Sequence, residues 1–240
     1  MQKMITGRGQ LQIAGSAMDI SFTVPEGPCR PEALLPEAQR LANQLAERAV
    51  ARVEQAGHQI SCAKGCGACC RQMVPVSPVE AHHLAALVQN MPAAQAGKVR
   101  DRFKAARQAM AEAALGPRGH PDEDKTAYRA HGLAYFRVGV ACPFLEEESC
   151  SIHPDRPLVC REYLVTSPPP ACAVLGSGMV RQVVIPLRMW AVFGRSTSAD
   201  RRLQWMPLID SLDYAEHSPE PAADRTGPQR VEALLRELKS

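Results

Sequence analysis

Residues 62–70 read CAKGCGACC, so Cys62, Cys66, Cys69 and Cys70 put four thiols into nine positions. Packing alone does not ask for that density. Cys142, Cys150, Cys160 and Cys172 add four more after a long, almost cysteine-free stretch. Four thiolates are what a closed tetrahedral metal site needs, and two or three residues between cysteines let a tight turn bring two sulfurs onto one ion, at about 2.3 Å each for zinc. Gly65 and Gly67 suit such a turn, because glycine tolerates the positive φ values that a knuckle requires. Cys69 and Cys70 add a constraint, since adjacent side chains in most backbone conformations point in different directions. They imply either different metal atoms or a bridging thiol in a polynuclear cluster, and in both cases more than one metal atom.

The chain has 240 residues and is long enough to bury a hydrophobic core without covalent staples, so its nine cysteines are not needed as scaffolding. The N-terminal stretch has no apolar run of signal-peptide length, and no segment approaches the roughly 18 to 20 apolar residues of a membrane span. A cytoplasmic protein with no membrane association is expected. There thiols stay reduced, which favours metal binding or redox chemistry over disulfides. The formal charge of +3 counts the cysteines as neutral, and eight thiolates around two divalent ions would reverse its sign. Scattered arginines and an aromatic content of 5% argue against a nucleic-acid surface.

Alternating Leu11, Ile13, Ile20, Phe22 and Val24 predict a small hairpin, and the recurrence of Leu34, Ala38, Leu41, Leu45, Ala49 and Val53 predicts a helix over 33–56 capped by Gly57. Ser77-Pro78-Val79-Glu80 combines an N-cap serine, a proline at the first helical position and a glutamate three residues on, starting a helix to about Asn90. A third helix is expected over 93–115. The Pro-rich stretch 139–172 reads as loop that wraps a metal but builds little core. Val183 to Pro186 suggests a strand, Leu187 to Phe193 is apolar without clear periodicity, and Gln229 to Leu238 predicts a last amphipathic helix. The expected class is mainly α with a few short strands, helices scaffolding a Cys-rich loop region around a metal cluster. Three parts are expected: a hairpin and helix at 1–57, a cysteine-cluster core at 58–175, and an extension packing on it at 176–240.

CAKGCGACC, ACPFLEEESCSIHPDRPLVCREY and PPPAC together resemble the YkgJ-type CxxCxxCC cysteine-cluster family of zinc- or iron-chelating proteins, over roughly residues 60 to 175. The resemblance implies that Cys62, Cys66, Cys69, Cys70, Cys142, Cys150, Cys160 and Cys172 are metal ligands, while Cys29 lies outside the pattern. Two positions depart from it: three residues rather than two separate Cys62 from Cys66, and His153 stands where many members carry tyrosine. His153 reads as a surface or hydrogen-bonding residue before it reads as a ligand. The flagellin lysine N-methylase shares the cysteine pattern, so the resemblance also admits protein lysine methylation. No independent methyl-donor motif accompanies it here.

Lys64, Arg71, Arg156 and Arg161 lie close in sequence to the cysteines, and a Cys₄ site carrying negative charge would use such cations, Arg161 foremost. His58 stands behind the helix-breaking Gly57, and of His82 and His83 on one helix at most one can face the metal. The CxxxCxxC spacing over 62–69 also matches that of radical S-adenosylmethionine enzymes, but the βα repeats of such a barrel are missing. Gly176-Ser177-Gly178 lacks the third glycine of a nucleotide-binding turn and reads as a loop. Zinc would make the cluster chiefly structural, whereas iron, mononuclear or Fe-S, would allow redox or regulatory chemistry. A metal-shaped surface for a protein partner is the remaining reading.

Overall fold

The alternation in the first strands has a direct structural counterpart. In a computed structural model that describes residues 2–13, 15–116, 125–174 and 178–239, β1 (Met4–Ile13) and β2 (Ser16–Pro25) pair antiparallel from Met4↔Pro25 to Ile13↔Ser16. One face of β2 buries Met18, Ile20, Phe22 and Val24. After the short strand β3 (Pro28–Cys29), a 3₁₀ turn at Pro31–Leu34 leads into α1 (Leu35–Gln55), whose buried stripe is Leu35, Ala38, Leu41, Ala42, Leu45, Ala46 and Ala49.

β4 (Pro75–Val76), α2 (Pro78–Gln89) and α3 (Ala93–Glu112) follow. The N-terminus of α2 carries the full capping box expected of it, with Ser77 and Glu80 satisfying each other's backbone amides. Next comes α4 (Lys125–Val138), a helix with no counterpart among the elements expected from the sequence. Its side chains bury little, mainly His131 and Tyr135, so it leaves a weak periodic trace.

The cysteine loop contains a tight hairpin, β5 (Leu145–Glu146) with β6 (Ser149–Cys150), and two single-turn helices, α5 (Leu158–Arg161) and α6 (Pro169–Cys172). Beyond it lie α7 (Met189–Thr197), β7 (Met206–Pro207), α8 (Ser211–His217), β8 (Arg225–Thr226) and α9 (Gly227–Leu238). β3 pairs with β8 and β4 with β7. The chain is mainly α with a few short strands.

The strand expected at Val183 to Pro186 is not one. Only Gln182 bridges to Val165, and the Val183 amide donates to the Leu164 carbonyl at 2.8 Å. The segment does alternate like a strand, with Val183 and Ile185 buried and Val184 81% exposed, but among the described residues no second strand lies beside it. The apolar run after it becomes α7, whose first amide, Met189 N, donates to the buried Glu162 carboxylate. Leu175, Gly176 and Ser177, most of the Gly-Ser-Gly loop, lie outside the described residues.

Three apolar clusters hold these elements. The largest joins β2, α1, α7 and Leu234 of α9, and receives Leu158 from the cysteine loop. A second, from α2 and α3, receives Phe144 and Ile152, with Phe103 and Phe144 packed edge to face at 5.3 Å and Cys142 and Cys150 against its rim. A third collects Met73, Met110, Tyr135, Trp205 and Ile209. The Pro-rich loop therefore contributes more to the core than its composition suggests, because a few of its apolar residues plug into cores that the helices build.

Glu80 connects the helices to the loop. Its buried carboxylate accepts from Ser77 N at 3.0 Å, from Ser77 Oγ at 2.9 Å and, on the other oxygen, from Leu158 N at 2.8 Å, which seats α5 and so Cys160. Glu80→Ala would strand two backbone donors in a dry site. An N–H left unsatisfied costs about 1–3 kcal/mol, so we expect a loss of roughly 2–4 kcal/mol in urea unfolding, with a smaller loss for Glu80→Gln, which keeps one acceptor oxygen. A Glu80→Ala protein within 0.5 kcal/mol of the parent would show that the tie is dispensable.

Candidate metal centre

The knuckle at 62–70 is built from backbone turns. Ser61 N donates to Val165 O at 2.9 Å and fixes its entry, Cys66 N donates to Ala63 O at 3.1 Å, and a 3₁₀ turn over Ala68–Arg71 closes it through Cys70 N to Gly67 O at 3.0 Å. Gly65 has φ +88°, as a knuckle glycine should, but Gly67 does not take positive φ. Its missing side chain makes room instead. A Cβ there would run into the Glu148 carboxylate and stand 2.9 Å from Leu145 Cδ1.

That close approach locks the knuckle to the β5–β6 hairpin. Arg71 donates through both terminal nitrogens to Glu148, at 3.0 and 2.6 Å, and also to Gly67 O at 2.9 Å. Arg71 is thus spent chiefly on a clamp, while its charge also lies within the field of Cys70. The hairpin is held from its other side by Arg102 of α3, which donates to Pro143 O at 3.0 Å and Glu146 at 2.9 Å. Cys142 N donates to Cys70 O at 2.7 Å, so the start of the second cysteine batch is stitched onto the end of the first. α6, which carries Cys172, packs on the 68–71 turn.

The thiols share one electrostatic neighbourhood. Burial pushes up the thiols of Cys62, Cys150, Cys160 and Cys172, and it raises Cys142 to about 12. Cys69 is raised first by a hydrogen bond with the Cys70 thiol and then by burial. The adjacent pair therefore lies close enough in the 3₁₀ turn for one thiol to act on the other. Mutual repulsion maps the rest. Cys62 and Cys172 feel Cys66 and Cys69, whereas Cys142 and Cys160 feel Cys150 and Cys69. Cys69 belongs to both sets.

Arg156 is the compensating cation. Its charge opposes the raised values of Cys62, Cys69, Cys150 and Cys160, and its Nε is buried without a hydrogen-bond partner. Arg161, the foremost candidate from sequence, is mainly a loop staple: it donates to Arg156 O at 2.9 Å, to Asn43 Oδ1 at 3.2 Å and to Pro154 O. Its charge is felt by Cys150 and it in turn feels Cys160, and it holds in place the segment that carries Arg156.

Other candidates fall away from the sulfurs. Lys64, His58 and His153 are exposed. Cys29 is buried in the β3–β8 pair, its carbonyl accepting from Arg230 at 2.8 Å. His82 packs edge-on against Tyr214 at 5.8 Å, and His83 faces Asp155 and Arg161. Tyr163 was not foreseen from the sequence. Its hydroxyl accepts from Gln72 Nε2 at 3.2 Å, and it lies within the field of Cys172, Cys69 and Cys62. Its position after Cys160 and Arg161 was the only available signal.

Among the described residues, no three His, Cys, Asp or Glu side chains are already placed to hold one ion. The donor set nonetheless fits a thiophilic cation: thiols gathered from both batches around Cys69, one buried guanidinium nitrogen still without a partner, and a backbone that ties the two batches together. Burial favours the protonated thiols, so a metal must displace their protons and draw the sulfurs inward.

No curated protein and no solved structure matches the chain. Residues 61–174, the segment that carries all eight clustered cysteines, match the CxxCxxCC family model, described as a putative zinc- or iron-chelating domain.

Proposed function

We propose that the protein is a cytoplasmic metal chelator in which Cys62, Cys66, Cys69, Cys70, Cys142, Cys150, Cys160 and Cys172 hold more than one atom of zinc or iron. The carrying observation is the double membership of Cys69, whose thiol is coupled both to the knuckle set with Cys172 and to the set of Cys142, Cys150 and Cys160. A thiolate so placed would suit a position shared between two metal atoms. Zinc held this way is a closed, structural centre; iron, mononuclear or as an Fe-S cluster, adds a redox couple. The location rests on the need to keep this many thiols reduced, and among the described residues no helix is long and apolar enough to cross a membrane.

The protein's own groups have separable tasks. Arg71 and Glu148 keep the knuckle against the hairpin, Glu80 seats α5, and Arg156 offsets the charge that accumulates as thiols ionise.

Anaerobic purification with elemental analysis and absorption spectroscopy tests the proposal. Brown protein with acid-labile sulfide indicates an Fe-S cluster, and colourless protein with stoichiometric zinc excludes one. Cys66→Ser and Cys150→Ser should each lower the metal content in part, and Cys69→Ser should lower it most. Unchanged metal content in all three would refute the ligand set. Arg156→Gln should weaken metal retention roughly ten- to a hundredfold in chelator competition, whereas Lys64→Gln, at an exposed position, should leave it unchanged.

A further inference from the structure

A cavity of about 920 Å³ opens between α2, α3, α4 and α8, with Tyr135 on its wall. That volume lies within the range of about 300–1,000 Å³ usual for small-molecule sites. Its apolar lining comes from Phe103, Met110, Ile209 and Leu212, the first three fully buried. His82, also on the wall, is 9% exposed, and its Nε2 is buried with no hydrogen-bond partner. Buried polar atoms are ordinarily paired, so an orphaned imidazole nitrogen on a cavity wall is a group waiting for a partner.

The charges around the opening are uneven. On α3, Arg100, Lys104 and Arg107 recur at helical spacing along one wall. Arg107 is neutralised by α8's flank, through Asp210 at 3.2 Å and Asp213 at 2.7 Å. Glu220 is taken up by Arg30. Arg100 and Lys104 make no ion pair with any described residue, and the facing wall offers Glu216 as its one carboxylate in the same condition among the described residues. Two uncompensated cations stand against one uncompensated anion.

We propose that this cavity is a binding site for a small amphipathic carboxylate, whose apolar body lies on Phe103, Met110 and Ile209, whose carboxylate meets Arg100 and Lys104, and whose inner end reaches His82. Tyr135, on the wall of this site, lies within the field of both Cys142 and Asp210. The site does not depend on the metal assignment, and its test reads ligand binding rather than metal content.

The test uses the full chain with whatever metal it carries on purification, and titrates it calorimetrically with 3-phenylpropionate, with 2-phenylethylamine as the cation of similar size. Saturable binding of the acid at roughly millimolar Kd or tighter, about tenfold weaker for the amine and weakened about tenfold in the double variant Arg100→Gln/Lys104→Gln, supports the proposal. Both substitutions are at exposed positions, and unchanged circular dichroism and metal content confirm that the double variant is folded. Absence of saturation with the acid, equal or tighter binding of the amine, or undiminished binding in the folded double variant overturns it. His82→Gln provides a second reading: weaker binding at unchanged metal content places the ligand's inner end as proposed, and unchanged binding removes His82 from the site.

Discussion

Crowding thiols into a protein interior makes their ionised form expensive twice over, because each sulfur loses hydration and each new thiolate repels its neighbours. Both effects are present here. Burial raises most of the clustered thiols, and every raised one also feels at least one other cysteine. Such a cluster stays protonated until a cation with enough affinity displaces the protons, and the chelating character follows from that balance. Arg156 shifts the balance without removing it, since one guanidinium cannot offset several thiolates.

The rest of the molecule holds the two cysteine batches against each other. Cys70 O receives the Cys142 amide, Arg71 clamps Glu148, and Gly67 leaves the space in which the clamp closes. Behind them, Phe144, Ile152 and Leu158 sink into helical cores, and Glu80 satisfies the first turn of α5. These contacts act mainly through the backbone and the cores, with Cys142 and Cys150 themselves against the second core. They place the backbone so that sulfurs from distant segments share one field, and the remaining convergence is left to the metal.

Local signals were legible where an element carries its own stabilising pattern. The hairpin's alternation, the stripe of α1 and the Ser77–Glu80 capping box are all short-range, and each appears as expected. α4 was illegible because it buries only a few side chains, so its periodicity is faint. Val183 to Pro186 misled for the opposite reason: its alternating burial is real, yet strand pairing depends on a partner that no local pattern supplies.

The sequence by itself determined which donors are on offer, eight cysteines in two batches. It could not decide which cation serves them. Arg156 and Arg161 lie five residues apart, and the place of Arg161 directly after Cys160 favours it on paper, yet the course of the loop sets Arg156 in the field of four thiols and ties Arg161 mainly to backbone carbonyls and Asn43. Nor could it pair Arg71 with Glu148 across 77 positions, or show that Gly67 serves space rather than φ. Ligand identity is a property of side-chain type and spacing, which are local. Counter-charge, clearance and the meeting of both thiol sets at Cys69 are properties of distance through space, which only the tertiary fold sets.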